Sequence, residues 1–188
     1  MENYIRYYDD VVDETFCDNL VDLFESNTDH QQIMENEGHF RFAELKLLDY
    51  PDTYGDIAKT LTRTFFDCID QYKSDCNVVP EMFPRQLGYE NFRMKKYLPN
   101  DVDQFSRHVD VGDYSSARRF LVFFLYLNEP KEGGETKFEQ FGITVKPKKG
   151  RLLMFPPLWT HLHSGEKPIG SPKYIVGSYL HYVYKYPY

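Results

Sequence analysis

The chain of 188 residues is poor in cysteine: Cys17, Cys68 and Cys76 are odd in number and form no Cys-x-x-Cys pair. A disulfide framework is therefore not expected, and a reducing compartment fits better. No stretch approaches the ~18 consecutive apolar residues of a membrane span, and no basic segment followed by an apolar run opens the chain. The expectation is a soluble, cytoplasmic protein with no membrane partner. Basic excess is missing as well, since 22 Lys and Arg stand against 29 Asp and Glu for a formal charge of -7, which disfavours nucleic acid. The pair Gly133-Gly134 lacks the Gly-x-x-x-x-Gly-Lys spacing of a phosphate loop and reads as a turn. With no repeat, low-complexity tract or linker, residues 1–188 read as a single domain.

Aromatic residues are abundant. With 15 Phe and 16 Tyr the composition suits a sheet-rich core. A short strand is expected within residues 4–12, then a helix from Asp13, an N-cap candidate, to about Glu25. Ser26 to Gly38 has no apolar periodicity and reads as a loop, and Phe40 to Leu48 alternates imperfectly. Tyr54, Ile57, Ala58, Leu61, Phe65, Cys68, Ile69 and Tyr72 repeat at helical spacing over about five turns, predicting an amphipathic helix laid across a sheet. Val78 to Gly88 is a connection and Tyr89 to Leu98 is extended. Arg119 to Leu127 is apolar at both parities, as in a strand covered on both faces. Further short strands are expected at Glu135–Phe138, Gly142–Val145, Arg151–Phe155, Trp159–His163 and Lys173–Tyr182. Separated by Gly and Pro turns, they suggest a jelly-roll sandwich or barrel, with Lys146 to Arg151 as a solvated basic turn.

His108 and Asp110 are one residue apart, so in an extended strand an imidazole and a carboxylate face the same way. A second histidine downstream would complete the two-His, one-carboxylate set of non-haem Fe(II) oxygenases. His163 is the leading candidate and His161, of the same parity, is its rival. Ten residues past His163 stands Lys173, inside a strand of Tyr, Ile and Val. Such a lysine either reaches solvent or meets an anion.

The blocks His108-Val-Asp110, Phe124-Leu-Tyr-Leu-Asn128, Glu132-Gly-Gly-Glu-Thr-Lys-Phe138, Val145-Lys-Pro-Lys-Lys-Gly150 and Leu162-His-Ser-Gly165, with Pro168 and Lys173-Tyr174, resemble the prolyl 4-hydroxylase family of Fe(II)/2-oxoglutarate dioxygenases. The resemblance runs from about Tyr89 to Tyr182. It implies a mainly β (α+β) fold: a double-stranded β-helix, or jelly roll, at 89–182, with a helical support region at 1–88 whose helices pack on one sheet. It implies Fe(II) held by His108, Asp110 and His163, and Lys173 paired with the distal carboxylate of 2-oxoglutarate. Tyr97 would assist the cosubstrate, and Tyr179, sharing the parity of Lys173, would line the pocket or pack as a plain aromatic.

O2 is the third reactant, ascorbate a stimulant, and the activity expected is hydroxylation of prolyl residues in a peptide or protein, with release of succinate and CO2. Alternatives are a free amino acid, another small molecule or a modified nucleobase as substrate, or a jelly-roll binding module without turnover. Lys173 favours the prolyl group, because nucleobase-directed relatives usually carry arginine there. Substrate-selecting loops are sought at Gln31–Glu44, Val78–Gly88 and Val111–Ala117.

Overall fold

The computed structural model describes residues 4–183; residues 1–3 and 184–188, part of the expected 1–188 domain, lie outside the described residues. Strand β1 (Arg6–Tyr8) leads into helix α1 (Glu14–Ser26), whose first turn is capped by Asp13 accepting from the Phe16 amide at 2.7 Å. This is the role a carboxylate at an N-cap plays. Next come β2 (Gln31–Asn36) and β3 (Phe40–Lys46), a hairpin turned at Glu37-Gly38-His39. Nearly half of the loop expected at Ser26–Gly38 is thus a strand, and so is most of the substrate loop sought at Gln31–Glu44. β2 pairs only with β3 and buries neither face, so no apolar alternation marks it.

Helix α2 (Pro51–Asp75) buries Tyr54, Ala58, Leu61, Phe65, Ile69 and Tyr72, the stripe its periodicity predicts. Among the described residues no helix is long and apolar enough to cross a membrane. The remaining strands are β4 (Leu87–Tyr89), β5 (Arg93–Tyr97), β6 (Gln104–His108), β7 (Arg119–Tyr126), β8 (Glu132–Gly133), β9 (Thr136–Phe138), β10 (Ile143–Val145), β11 (Leu152–Phe155), β12 (His163–Gly165), β13 (Pro168–Ile169) and β14 (Lys173–Tyr182). The pairings are antiparallel: the large sheet runs β1-β11-β7-β14-β5-β3-β6-β12-β9-β10, with β2 on β3 and β4 on β14 off this path, and curls into a nearly closed, jelly-roll-like barrel, while β8 and β13 pair separately.

The sheet has two covered faces. Leu121, Phe123 and Leu125 of β7 join Leu45, Met94 and Val176 beneath the two helices, and the Phe65 and Phe123 rings lie 4.4 Å apart. Val122 and Tyr126 point the other way, into a second core with Phe42, Tyr97, Phe138 and Phe155. That division explains why β7 is apolar at both parities.

Two further expectations need correction. Trp159–His163 is a turn followed by only the first residue of β12, because Pro156-Pro157 removes two backbone donors and the His161 amide bonds back to Leu158 at 2.8 Å. The basic stretch Lys146–Arg151 is not simply solvated. Lys148 pairs with Asp9 and Asp10, Lys149 with Asp18, and Arg151 with Asp9 at 2.6 Å, tying this turn to the acidic segment around β1 and α1.

Candidate metal centre

His108 ends β6 and His163 begins β12, directly opposite each other in the antiparallel register, with ring centroids 4.3 Å apart. Asp110 lies two residues beyond β6, held by its amide on the Pro157 carbonyl at 3.1 Å. One donor atom from each of the three residues falls within 4.8 Å of the others. Asp110 Oδ1 is 3.7 Å from His108 Nε2, and Oδ2 is 3.6 Å from His163 Nε2.

The proton positions follow from what the far side of each ring meets. Nδ1 of His108 lies 2.7 Å from the Ser106 carbonyl and Nδ1 of His163 lies 3.0 Å from the His161 carbonyl. A carbonyl only accepts, so Nδ1 donates and the Nε2 lone pairs converge on the space beside Asp110. Burial pushes the His163 imidazole down to about 4, keeping it neutral at pH 7. For Asp110 burial acts upward but is outweighed by the two histidines and the Tyr179 hydrogen bond, so the carboxyl is held below the usual range and stays ionised. Neutral imidazoles and an ionised carboxylate are the states a divalent cation requires.

Asp110 Oδ2 is buried with no hydrogen-bond partner. An orphaned carboxylate oxygen is costly, and one aimed between two imidazole nitrogens whose lone pairs converge on it suits a bound cation. The donor set fits divalent iron: two nitrogens and one oxygen leaving positions open.

Tyr179 donates to Asp110 Oδ1 at 2.7 Å, so its hydroxyl fixes a candidate metal ligand. Burial and the nearby carboxylate hold that phenol far above its ordinary pKa, and it remains a donor. Arg119 lies 4.0 Å over the Tyr179 ring, donates to the Asp110 carbonyl at 2.9 Å and forks onto Glu90 at 2.8 and 2.9 Å. The sequence offered no sign of this brace beyond an arginine beginning a strand. His161 is also buried, but its ring lies 5.7 Å from Phe141, and it meets His163 through its backbone carbonyl.

Lys173, the first residue of β14, is buried, and its ammonium donates to the Gly134 carbonyl at 3.0 Å. Gly134 has φ +75°, and a side chain there would meet the lysine at 3.1 Å. Tyr97 is the register partner of Lys173 on β5, with its ring 4.6 Å from the ammonium. Burial lowers the lysine to about 8, partly offset by Glu135. Lys173, Tyr97 and Tyr179 line the same cleft as His108, Asp110 and His163, about 480 Å³ including its open mouth.

Residues 92–181 match the model of the 2OG-Fe(II) oxygenase superfamily. Among solved structures, the chain is similar to a viral collagen prolyl hydroxylase from Paramecium bursaria Chlorella virus-1 in a 2OG complex (18% identity, TM-score 0.68, 96% of this chain and 97% of that one). It is similar to a prolyl-4-hydroxylase from Pseudomonas putida (16%, TM-score 0.71, 96% and 94%). A third similar structure is a prolyl hydroxylase from Trichoplax adhaerens in complex with a hypoxia inducible factor oxygen degradation domain peptide fragment (16%, TM-score 0.72, 95% and 84%). No curated protein matches the chain in sequence.

Proposed function

We propose that this chain, whose residues 92–181 match the model of the 2OG-Fe(II) oxygenase superfamily, is a dioxygenase of that superfamily and hydroxylates prolyl residues in a peptide or protein. The family uses Fe(II), 2-oxoglutarate and O2. The observation that carries the assignment of residues is the cleft itself: an orphaned Asp110 oxygen between two free imidazole nitrogens at one place, and a buried lysine at another. Peptides as the substrate class rest on the prolyl hydroxylase fold and on the neighbour holding a peptide fragment. Cys17, Cys68 and Cys76 form no disulfide among the described residues, in keeping with a reducing, cytoplasmic setting.

In this reading His108 and His163 present Nε2, and Asp110 its free oxygen, to Fe(II). Bound there with 2-oxoglutarate and O2, the metal supplies an oxidant that places one oxygen atom on an unactivated C–H bond while the cosubstrate becomes succinate and CO2. The Ser106 and His161 carbonyls hold the imidazoles in the ligating tautomer, and Tyr179, braced by Arg119, orients the carboxylate. Lys173 takes the distal carboxylate of 2-oxoglutarate where the Gly134 carbonyl and the Tyr97 ring flank its ammonium. Phe105, Phe124 and Phe155 wall the cleft against water.

The test is mass spectrometry of proline-containing peptides, free amino acids and nucleobases incubated with protein, Fe(II) and 2-oxoglutarate. One oxygen gained on a prolyl residue is the expected result. Turnover confined to free amino acids or nucleobases would replace the prolyl assignment.

A further inference from the structure

The inner face of the barrel carries more positive charge than its assigned tasks use. Antiparallel register sets Glu44, Lys95 and Ile175 side by side on β3, β5 and β14, and Lys46, Arg93 and Gly177 in the neighbouring row. Residues two apart on a strand share a face, so Lys95 looks inward with Tyr97. Its ammonium sits 4.5 Å from the Phe42 ring and 5.6 Å from the Phe105 ring, in the wall of the cleft that holds His108, Asp110 and His163. It also lines an adjoining cavity of about 300 Å³ shared with Arg93 and Tyr179.

Among the described residues Lys95 has no hydrogen-bond acceptor and no carboxylate within 4 Å. Glu44, its register partner, has its ion pair with Lys46, at 3.7 Å. Arg93 is equally poorly answered: Nε is buried without a partner, and its ion pair with Glu90 spans 3.5 Å because Glu90 is already forked onto Arg119. Burial works against the charge on Lys95, with Glu44 only partly offsetting it. Lys95 is half-buried, and even a partly desolvated ammonium without an anion is less favourable than an apolar residue of similar length would be for packing. In a chain whose formal charge is -7, a lysine with no anion beside an arginine only weakly paired with Glu90 is a local feature with a local use.

We propose that Lys95, assisted by Arg93, is an anion subsite for substrate, so that the preferred substrate carries a carboxylate close to the residue that is oxidised. The proposal rests on the reading of the cleft as an oxygenase site. Lys173 already answers the cosubstrate, and Asp110 answers the metal. The carboxylate comes either from an acidic side chain flanking the prolyl residue or from the α-carboxylate of a small substrate. A phosphate backbone fits less well, because recognition would require a basic track outside the cleft in an acidic protein.

The experiment is calorimetric titration of the Mn(II)- and 2-oxoglutarate-loaded protein without O2. Two matched pairs serve as probes: acetyl-Asp-Ala-Pro-Ala-Asp-amide against its Asn counterpart, and free proline against prolinamide. Wild type is expected to bind the anionic member of one pair about tenfold or more tightly, less so in high salt. Which pair discriminates identifies the source of the carboxylate. In Lys95→Met the ratio should fall toward one, and Lys95→Arg should keep most of it. Equal affinities within both pairs in wild type would overturn the proposal whether or not the variants fold. It would also fall if Lys95→Met kept the ratio and instead weakened 2-oxoglutarate, making this lysine a cosubstrate anchor. Failure of the prolyl reading is visible separately: an Asp-flanked peptide with Ala in place of Pro would then gain oxygen as readily.

Discussion

Replacing Lys173 by methionine should damage cosubstrate binding while relieving the empty fold. Burial lowers this ammonium from its ordinary 10.5 to about 8. Below about 8 it is charged both folded and unfolded, and the folded state bears the full desolvation cost. Between about 8 and 10.5 the unfolded chain binds more protons, so this residue's penalty shrinks as pH rises. A difference of some 2.5 units is roughly 3 kcal/mol, an upper bound on what Lys173→Met can return to the cosubstrate-free fold at neutral pH.

With 2-oxoglutarate bound the sign reverses. Deleting one partner of a buried charge pair costs roughly 3 to 5 kcal/mol, or about a hundred- to several thousand-fold in affinity. The same logic sets a pH profile, since above about 8 the free protein must take up a proton to form the pair. Affinity should fall toward tenfold per unit there, with proton uptake detectable in buffers of different ionisation enthalpy. Lys173→Arg, permanently charged, should bind more weakly than wild type but with a flat profile. The assay is calorimetry on Mn(II)-loaded protein from about pH 7 to 9, with urea unfolding of the metal-free protein. A wild-type affinity unchanged across that range, or a Lys173→Met protein that binds like wild type, would refute the reasoning.

Tyr179→Phe keeps the ring under Arg119 but strips the hydrogen bond from Asp110, so Fe(II) affinity should drop about 10- to 100-fold by equilibrium dialysis, with the melting temperature little changed. His163→Ala should abolish metal binding and succinate formation, whereas His161→Ala, whose contact with His163 is its backbone carbonyl, should lose activity only in part; the reverse order would place the ligand at 161. Phe65→Ala, hollowing the contact between α2 and β7, should lower unfolding free energy by about 3 to 5 kcal/mol in urea, and metal affinity at saturating folded protein should be unchanged.

What the sequence could reveal follows from range. Helix α2 and strand β7 announce themselves because each repeats its burial pattern locally, every third or fourth residue in one and at both parities in the other. His108-Val-Asp110 is legible for the same reason: two ligands on one short segment need no knowledge of the partner strand. The hairpin of β2 and β3 was not, because its outer strand is held by backbone hydrogen bonds alone and leaves no apolar signature. The strand placed at Trp159–His163 failed where two prolines overruled a plausible alternation. Least visible were the groups whose meaning depends on cross-strand register. Tyr179 reaches Asp110 across 69 positions, Glu90 braces Arg119 across 29, and Lys95 becomes notable only once β3 and β14 stand beside it.

The most direct test of the cleft as an iron and 2-oxoglutarate site is a crystal structure of the protein grown without O2 in Mn(II) and 2-oxoglutarate. The account predicts the ion bound by Nε2 of His108, Nε2 of His163 and the Asp110 carboxylate, with the distal carboxylate of the cosubstrate on Lys173. An ion elsewhere, or a cosubstrate whose distal carboxylate rests on Lys95, would contradict it.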